Sequence, residues 1–140
     1  MWRYVVKAAA WLEIVVGAIF VVVPDMPCEL VFGARLDSIS RLLARWVGVS
    51  LFALGIACLP STSVELQRTA VLGLFLFNAA VASLFAWAGA VAAVHGFLLW
   101  PVVILHAVIA VALLPQLLST RGRWYIASVL DEVISRSERK

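Results

Sequence analysis

The sequence has few charged residues: Asp, Glu, Lys and Arg make up only 14% of its 140 residues, whereas 64% are hydrophobic. A soluble domain is usually about a quarter charged and about half apolar. The mean hydropathy of +1.05 therefore indicates a chain whose solvent is a lipid bilayer. Its length suffices for one domain, and we expect no separate soluble catalytic domain within these residues.

A basic run interleaved with stacking aromatic side chains, which is typical of many nucleic-acid-binding proteins, is also missing. The net charge of +3 comes from Arg and Lys residues that are concentrated near the two ends of the sequence. This distribution fits anionic lipid headgroups. We expect membrane lipid as a partner and no nucleic acid.

Cysteine is scarce, since only Cys28 and Cys58 are present, without a CxxC pair or a Cys–His cluster. Metal and redox sites usually contain such groupings. One cysteine falls in a connecting loop and the other near the opposite end of a predicted membrane helix, too far apart for a disulfide within one chain. The sequence predicts two ordinary thiols and no metal site.

Four apolar segments occupy most of the chain, and each approaches the length of about 20 residues that a helix needs to cross a bilayer. They cover about residues 4–23, 42–59, 70–88 and 97–118. The first has a basic start, as secretory signals do, but its apolar run is long and no small-x-small cleavage site follows. We interpret it as a retained helix. The predicted fold is all-α, an integral membrane four-helix bundle over residues 1–120.

The ends of the predicted helices carry further signals. Asp37 or Ser38 is a plausible N-cap for the second span, and Pro101 either begins or kinks the fourth. Residues 121–140 place apolar side chains at i, i+3, i+4, i+7 and i+8, which predicts an amphipathic C-terminal helix. This helix lies along the inner leaflet in the simpler interpretation, and it docks a partner in the other.

The distribution of Lys and Arg predicts the orientation. The side that contains both termini holds eight of these residues, and the other side holds Arg35, Arg41 and Arg45. The richer side is normally cytoplasmic, and Trp and Tyr residues fall near both predicted interfaces. We expect a multi-pass protein of the inner (plasma) membrane with the N and C termini in the cytoplasm.

Polar side chains inside a membrane are costly, about 2.5 to 3.5 kcal/mol for a charged group at the centre of a helix, so each needs a reason. Glu13, Asn78 and His106 fall near the middle of the first, third and fourth spans. Antiparallel packing would bring them to similar depths, so we predict that one interior cluster satisfies all three. Glu13 shares a helical stripe with small residues, which predicts that it faces protein and not lipid.

This predicted ligand-binding cluster has several interpretations. Glu13 and His106 would suit a proton relay or a general acid and base. Alternatively, an interhelical hydrogen bond that includes Asn78 only fixes the packing. A haem or a metal ion on His106 is a third interpretation, which a single histidine supports weakly. The cofactor therefore stays unknown.

Arg41 and Arg45 lie one helical turn apart at the start of the second span. In the simplest interpretation both side chains snorkel to the headgroups. In the sharper one, Arg45 binds an anionic headgroup or pairs with Asp25, Glu29 or Asp37. Ala44 and Gly48 form a small-xxx-small pattern, which marks a helix contact within the chain or between subunits.

The stretches LEIVVGAIFVVVPD, RLLARWVGVSLFALGIACL and LLWPVVILHAVIAVALL, with an FG pair after the first, resemble the small DoxX-like membrane proteins. The resemblance spans most of the chain and rests on glycine and apolar spacing. It implies a four-helix membrane fold. DoxX itself is described as a subunit of a quinone-reducing thiosulfate oxidoreductase, but no residue motif here carries that activity to this chain.

Two functions follow as hypotheses. The first is an accessory or assembly subunit, or a lipid- or pigment-binding bundle, within a larger membrane complex or a homo-oligomer. The second is an intramembrane enzyme, an isomerase or a redox protein, that acts on an apolar substrate through Glu13 and His106. A transporter is less favoured, because four short helices leave little room for alternating access within one protomer.

Overall fold

The structure is a computed structural model that describes residues 2–59, 64–92 and 94–118, and within these residues it is all-helical. The helices are α1 (Trp2–Val22), α2 (Asp25–Phe32), α3 (Ser38–Ala57), α4 (Val64–Ala90) and α5 (Leu99–Leu118). Four of them, α1, α3, α4 and α5, are long and apolar enough to cross a membrane. The predicted all-α fold with four spans is confirmed. The amphipathic helix predicted at 121–140 lies outside the described residues.

The helices extend beyond the apolar runs from which the spans were predicted. α3 begins at Ser38, where the prediction began at 42, and α4 begins at Val64, where it began at 70. Hydropathy detects the residues that contact hydrocarbon, whereas the helix continues through the polar interface. Asp37 is the N-cap of α3, as predicted, because its side chain accepts a hydrogen bond of 2.7 Å from the backbone N–H of Ser40.

Two features of the connections determine where helices start and stop. Pro101 lies in the first turn of α5, where a backbone N–H would have no partner within the helix, so its missing N–H costs no hydrogen bond.

The short helix α2 was not predicted from the sequence. It ends at Gly33, whose φ of 69° is left-handed and whose N–H bonds to the carbonyl of Glu29 at 2.9 Å. Glycine adopts this conformation without steric cost, so it stops the helix here.

α1 and α3 pack antiparallel with their backbones in direct contact. A Cβ atom added to Gly17 would lie 2.5 Å from the backbone nitrogen of Phe52, and one added to Gly55 would lie 2.6 Å from the carbonyl oxygen of Ala10. Gly48 likewise rests on the backbone of Gly17. Small residues permit this approach, which in lipid gains van der Waals contact. The pattern that contains Gly48 therefore marks a helix contact within the chain.

α4 and α5 form the second helix pair, and a cluster of buried apolar side chains joins it to α1 and α3. This cluster lies at the terminal end of the bundle, which we define as the end where α1 and α4 start and α3 and α5 finish. Its buried members are Val6, Ala9, Ala10, Cys58, Ala70, Val71, Leu74 and Leu113. Apolar side chains are also buried towards the opposite end, among them Val31 and Leu99.

The opposite end, which we call the loop end, is held together by α2 and the turn before α5. The backbone N–H of Leu98 donates to the carbonyl of Leu30 at 2.8 Å. Gly96 lies directly against the backbone of Val31, where no Cβ atom would fit. These contacts place α2 against the α4–α5 connection.

Candidate functional site

Asn78, in the middle of α4, has a completely buried side chain with both of its polar atoms bonded. Its Nδ2 donates to the carbonyl of Leu74 at 2.8 Å, and its Oδ1 lies 2.7 Å from Nδ1 of His106 on α5. A backbone carbonyl can only accept, so the amide nitrogen must face Leu74 and the amide oxygen must face the histidine. Nδ1 of His106 therefore carries a proton and donates it to Asn78.

His106 is half-buried, and its hydrogen bond to Asn78 uses only one of its two ring nitrogens. The edge of Phe77 packs against the ring, with centroids 6.0 Å apart and planes at 76°. Within the described part of the chain, no hydrogen bond reaches Nε2. With a proton fixed on Nδ1, neutral His106 has its lone pair on Nε2, which can accept a hydrogen bond or ligate a metal.

Glu13 faces the protein interior, as predicted, because only 2% of its surface is exposed and its stripe neighbours Ala9, Ala10 and Gly17 are also buried. Its Oε1 has no hydrogen-bond partner. No bond connects Glu13 to Asn78 or His106 among the residues that the structure describes. The structure therefore brings together two members of the predicted cluster, Asn78 and His106. The third, Glu13, is buried but forms no hydrogen bond with either of them.

Sequence reasoning missed one buried polar residue at the terminal end, Gln67 on α4. At the same end, the thiol of Cys58 donates weakly to the carbonyl of Ala70 at 3.8 Å. Gln67 precedes the apolar run from which the third span was predicted. Its spacing to Val71, Leu74 and Asn78 (i, i+4, i+7, i+11) is the pattern that could have assigned it to the buried face.

The two cysteines lie at opposite ends of the bundle, as predicted. Cys28 is on α2 at the loop end, and Cys58 follows α3 at the terminal end. Both are buried, and neither is in a disulfide. Burial and the negative charge of Asp25 both raise the pKa of the Cys28 thiol. Cys28 is therefore an inert side chain at neutral pH.

Arg41, and not Arg45, forms the ion pair with Asp25 of α2. Its Nε and Nη2 donate to the two carboxylate oxygens of Asp25 at 2.9 and 3.0 Å, and Nη2 also reaches the carbonyl of Leu36 at 3.3 Å. This bidentate pair joins α2 to α3. Arg45 is exposed and has no ion-pair partner among the described residues, so the pairing with Asp25 that the sequence allowed for it is made by Arg41.

The Asp25–Arg41 pair gives a prediction about pH. The hydrogen bond from Arg41 lowers the pKa of Asp25 below its usual value of 3.8. A lowered pKa in the folded state means that the pair stabilises the fold above about pH 3.8 and that this contribution is lost as the pH falls through the lowered pKa. In Arg41→Gln we expect the pKa of Asp25 to return towards 3.8, as measured by NMR titration of its carboxyl carbon.

Asp37 provides the internal control for this titration. Hydrogen bonds from Ser40 are the main cause that lowers the pKa of Asp37, and Arg41 contributes least. Its pKa should therefore stay low in Arg41→Gln. Equal shifts of both carboxyl groups would mean that the substitution disturbed the whole loop end, and an unchanged Asp25 would contradict the ion pair.

The fold and the site together define the class of this chain, a multi-pass all-α membrane protein with a hydrogen-bonded Asn78–His106 pair between two of its spans. Comparisons with protein-family models, with curated proteins and with solved structures found no match for this chain. The DoxX-like resemblance therefore stays a prediction from the sequence.

Proposed function

We propose that this chain is an accessory or assembly subunit of a larger membrane complex, and that it binds a lipid or a pigment at His106. The observation that supports ligand binding is the tautomer that Asn78 imposes on His106, because it leaves the lone pair of Nε2 without a partner among the described residues. The lone pair of Nε2 would accept a hydrogen bond from a hydroxyl group of a lipid, or it would ligate the central metal of a pigment.

The packing of α5 supports the presence of a neighbour. α5 buries only Leu99, Ala110 and Leu113 inside the chain, the lowest buried share of the four spans. Of the four spans, α5 therefore exposes the largest share of its residues to lipid or to another subunit, and His106 lies on this helix. A ligand at His106 would lie against this surface, where a subunit of the complex could also contact it.

The charges at the loop end support the proposed orientation, in which the termini face the cytoplasm across the inner (plasma) membrane. Among the described residues of the loop end, the basic side chains are only those of Arg35, Arg41 and Arg45. The other predicted side holds the excess of Lys and Arg. An excess of basic residues marks the cytoplasmic side of membrane proteins.

The test is to purify the full chain in native lipid particles and to analyse what it retains by absorption spectroscopy and by mass spectrometry of the organic extract. We expect a bound lipid or pigment whose occupancy falls about tenfold in His106→Leu, since one hydrogen bond is worth about 1 kcal/mol or somewhat more and 1.4 kcal/mol is tenfold. Asn78→Leu removes only the group that orients the ring, so its loss should be smaller.

His95 is the matched control, because it is exposed and precedes α5. His95→Leu should retain the ligand. Equal retention by the wild-type chain and His106→Leu would contradict ligand binding at His106. The accessory role predicts in addition that a larger assembly copurifies with the wild-type chain, and a strictly isolated monomer that turns over a substrate would contradict that role.

A second candidate, an intramembrane isomerase or redox enzyme, is favoured by one observation. Glu13 is buried with one carboxyl oxygen that has no partner, and such a group is available for acid or base chemistry on an apolar substrate. The same organic extracts distinguish this enzyme candidate from the proposed ligand-binding role. An apolar product that disappears in both Glu13→Gln and His106→Leu would favour the enzyme, whereas a ligand that depends on His106 alone favours binding.

A further inference from the structure

The acidic side chains at the loop end already have partners within the chain. Asp25 is bound by two nitrogens of Arg41, and Asp37 caps α3 through Ser40. The carboxylate of Glu29 lies 3.9 Å from Arg35. Arg45 is close enough to contribute to the low pKa of Asp25, but that carboxylate is occupied. Of the three Arg side chains at this end, Arg45 is therefore the one that forms no salt bridge within the described residues.

The position of Arg45 on α3 fits the depth where a lipid headgroup meets the acyl chains. It is four residues further along α3 than Arg41, which is about 6 Å at 1.5 Å per residue. Its neighbours Leu42 and Trp46 are both 68% exposed on this span, as expected for side chains that contact lipid. Tryptophan prefers the boundary between headgroups and hydrocarbon, which supports the same depth for Arg45.

We propose that Arg45 binds the phosphate of an anionic phospholipid at the loop end. A guanidinium has a planar set of donors that matches phosphate oxygens, and the Asp25–Arg41 pair beside it prevents Arg45 from being neutralised within the chain. An anionic headgroup supplies a counter-ion for Arg45, whereas a zwitterionic headgroup brings its own cation. This site is separate from the ligand proposed at His106 and does not depend on it.

The test titrates the full chain in mild detergent with phosphatidylglycerol or with phosphatidylcholine of the same acyl chains, and native mass spectrometry counts the bound lipids. We expect phosphatidylglycerol to bind about tenfold more tightly, as one charge-assisted hydrogen bond would give. Arg45→Gln should abolish this preference. Arg35→Gln is the matched control, because its side chain is 91% exposed and lies outside the spans, and it should keep the preference.

A pair of acidic variants tests the role of the neighbouring ion pair. Asp25→Asn releases Arg41 as a second phosphate ligand and should strengthen the preference for phosphatidylglycerol. Glu29→Gln makes the same change in net charge without releasing Arg41, so its effect should be smaller. Equal effects would show that only the overall charge matters and would overturn the specific site.

Two further outcomes would also overturn the proposal. One is an unchanged preference in Arg45→Gln. The other is that inorganic phosphate, at the concentration of the lipid, removes the preference in the wild-type chain, which would identify a site for free phosphate. If Arg45→Gln does not fold, Arg45→Lys keeps the charge and loses the planar donor set, and it should then show a reduced preference.

Discussion

Gly48→Ala should destabilise the protein by about 2 to 3 kcal/mol, within the range for overpacking of a close helix contact. The added Cβ atom would lie 2.8 Å from the carbonyl oxygen of Gly17 and from the backbone nitrogen of Val21. Both are backbone atoms, which cannot rotate away as the end of a flexible side chain does. The result is measured as the free energy of unfolding in mixed micelles of mild detergent and dodecyl sulfate.

Gly73→Ala is the matched control, since it is also a helical glycine and a Cβ atom there would meet nothing within 4 Å. Alanine has the higher helix propensity, so this variant should lose no stability and can gain up to about 1 kcal/mol. If the two variants unfold alike, α1 and α3 do not approach each other at Gly48. A loss only in Gly48→Ala would support the close contact.

Glu13→Leu should stabilise the purified chain by about 1 to 3 kcal/mol, which is the cost of leaving a buried polar group unsatisfied. The wild-type carboxyl is 2% exposed, and its Oε1 has no hydrogen-bond partner. Leucine is similar in size and has no polar atom to bury, so it should fit the same stripe of α1. The same unfolding measurement gives the result.

Glu13→Gln is the control for this change, because it keeps the size and the buried polar atoms and removes only the ability to ionise. Its stability should lie nearer to the wild type than that of Glu13→Leu. A clear loss of stability in Glu13→Leu would contradict the unpartnered carboxyl and would indicate a bond to a molecule outside the chain.

The sequence was a good guide wherever one residue or one local pattern decided the result. Long apolar runs were sufficient to predict the spans, because hydrocarbon excludes backbone groups without hydrogen bonds and a helix forms these bonds within one segment. Asp37 and Ser38 were both predicted as candidate N-caps, a local signal, since the bond from Ser40 to Asp37 that the structure shows spans only three residues. The helix α2 was missed, since eight residues with mixed polarity show no clear period.

Contacts between distant segments were only partly predicted. Glu13, Asn78 and His106 were expected to satisfy one another because their depths are similar, but depth does not determine which faces of two helices meet. The structure bonds Asn78 to His106 and leaves Glu13 outside that pair. Likewise, the sequence suggested Arg45 as a partner of Asp25, but the placement of α2 against α3 pairs Asp25 with Arg41.

The sequence by itself determined that this chain is helical and that four helices are long and apolar enough to cross a membrane, because hydrophobicity and backbone hydrogen bonding act within each segment. Tertiary structure alone decided that Gly17 and Gly48 contact each other within the chain and that His106 donates through Nδ1. These outcomes depend on the rotation and separation of neighbouring helices. Packing sets both: small-residue patterns marked faces that contact a helix, but they did not specify which helix each face meets.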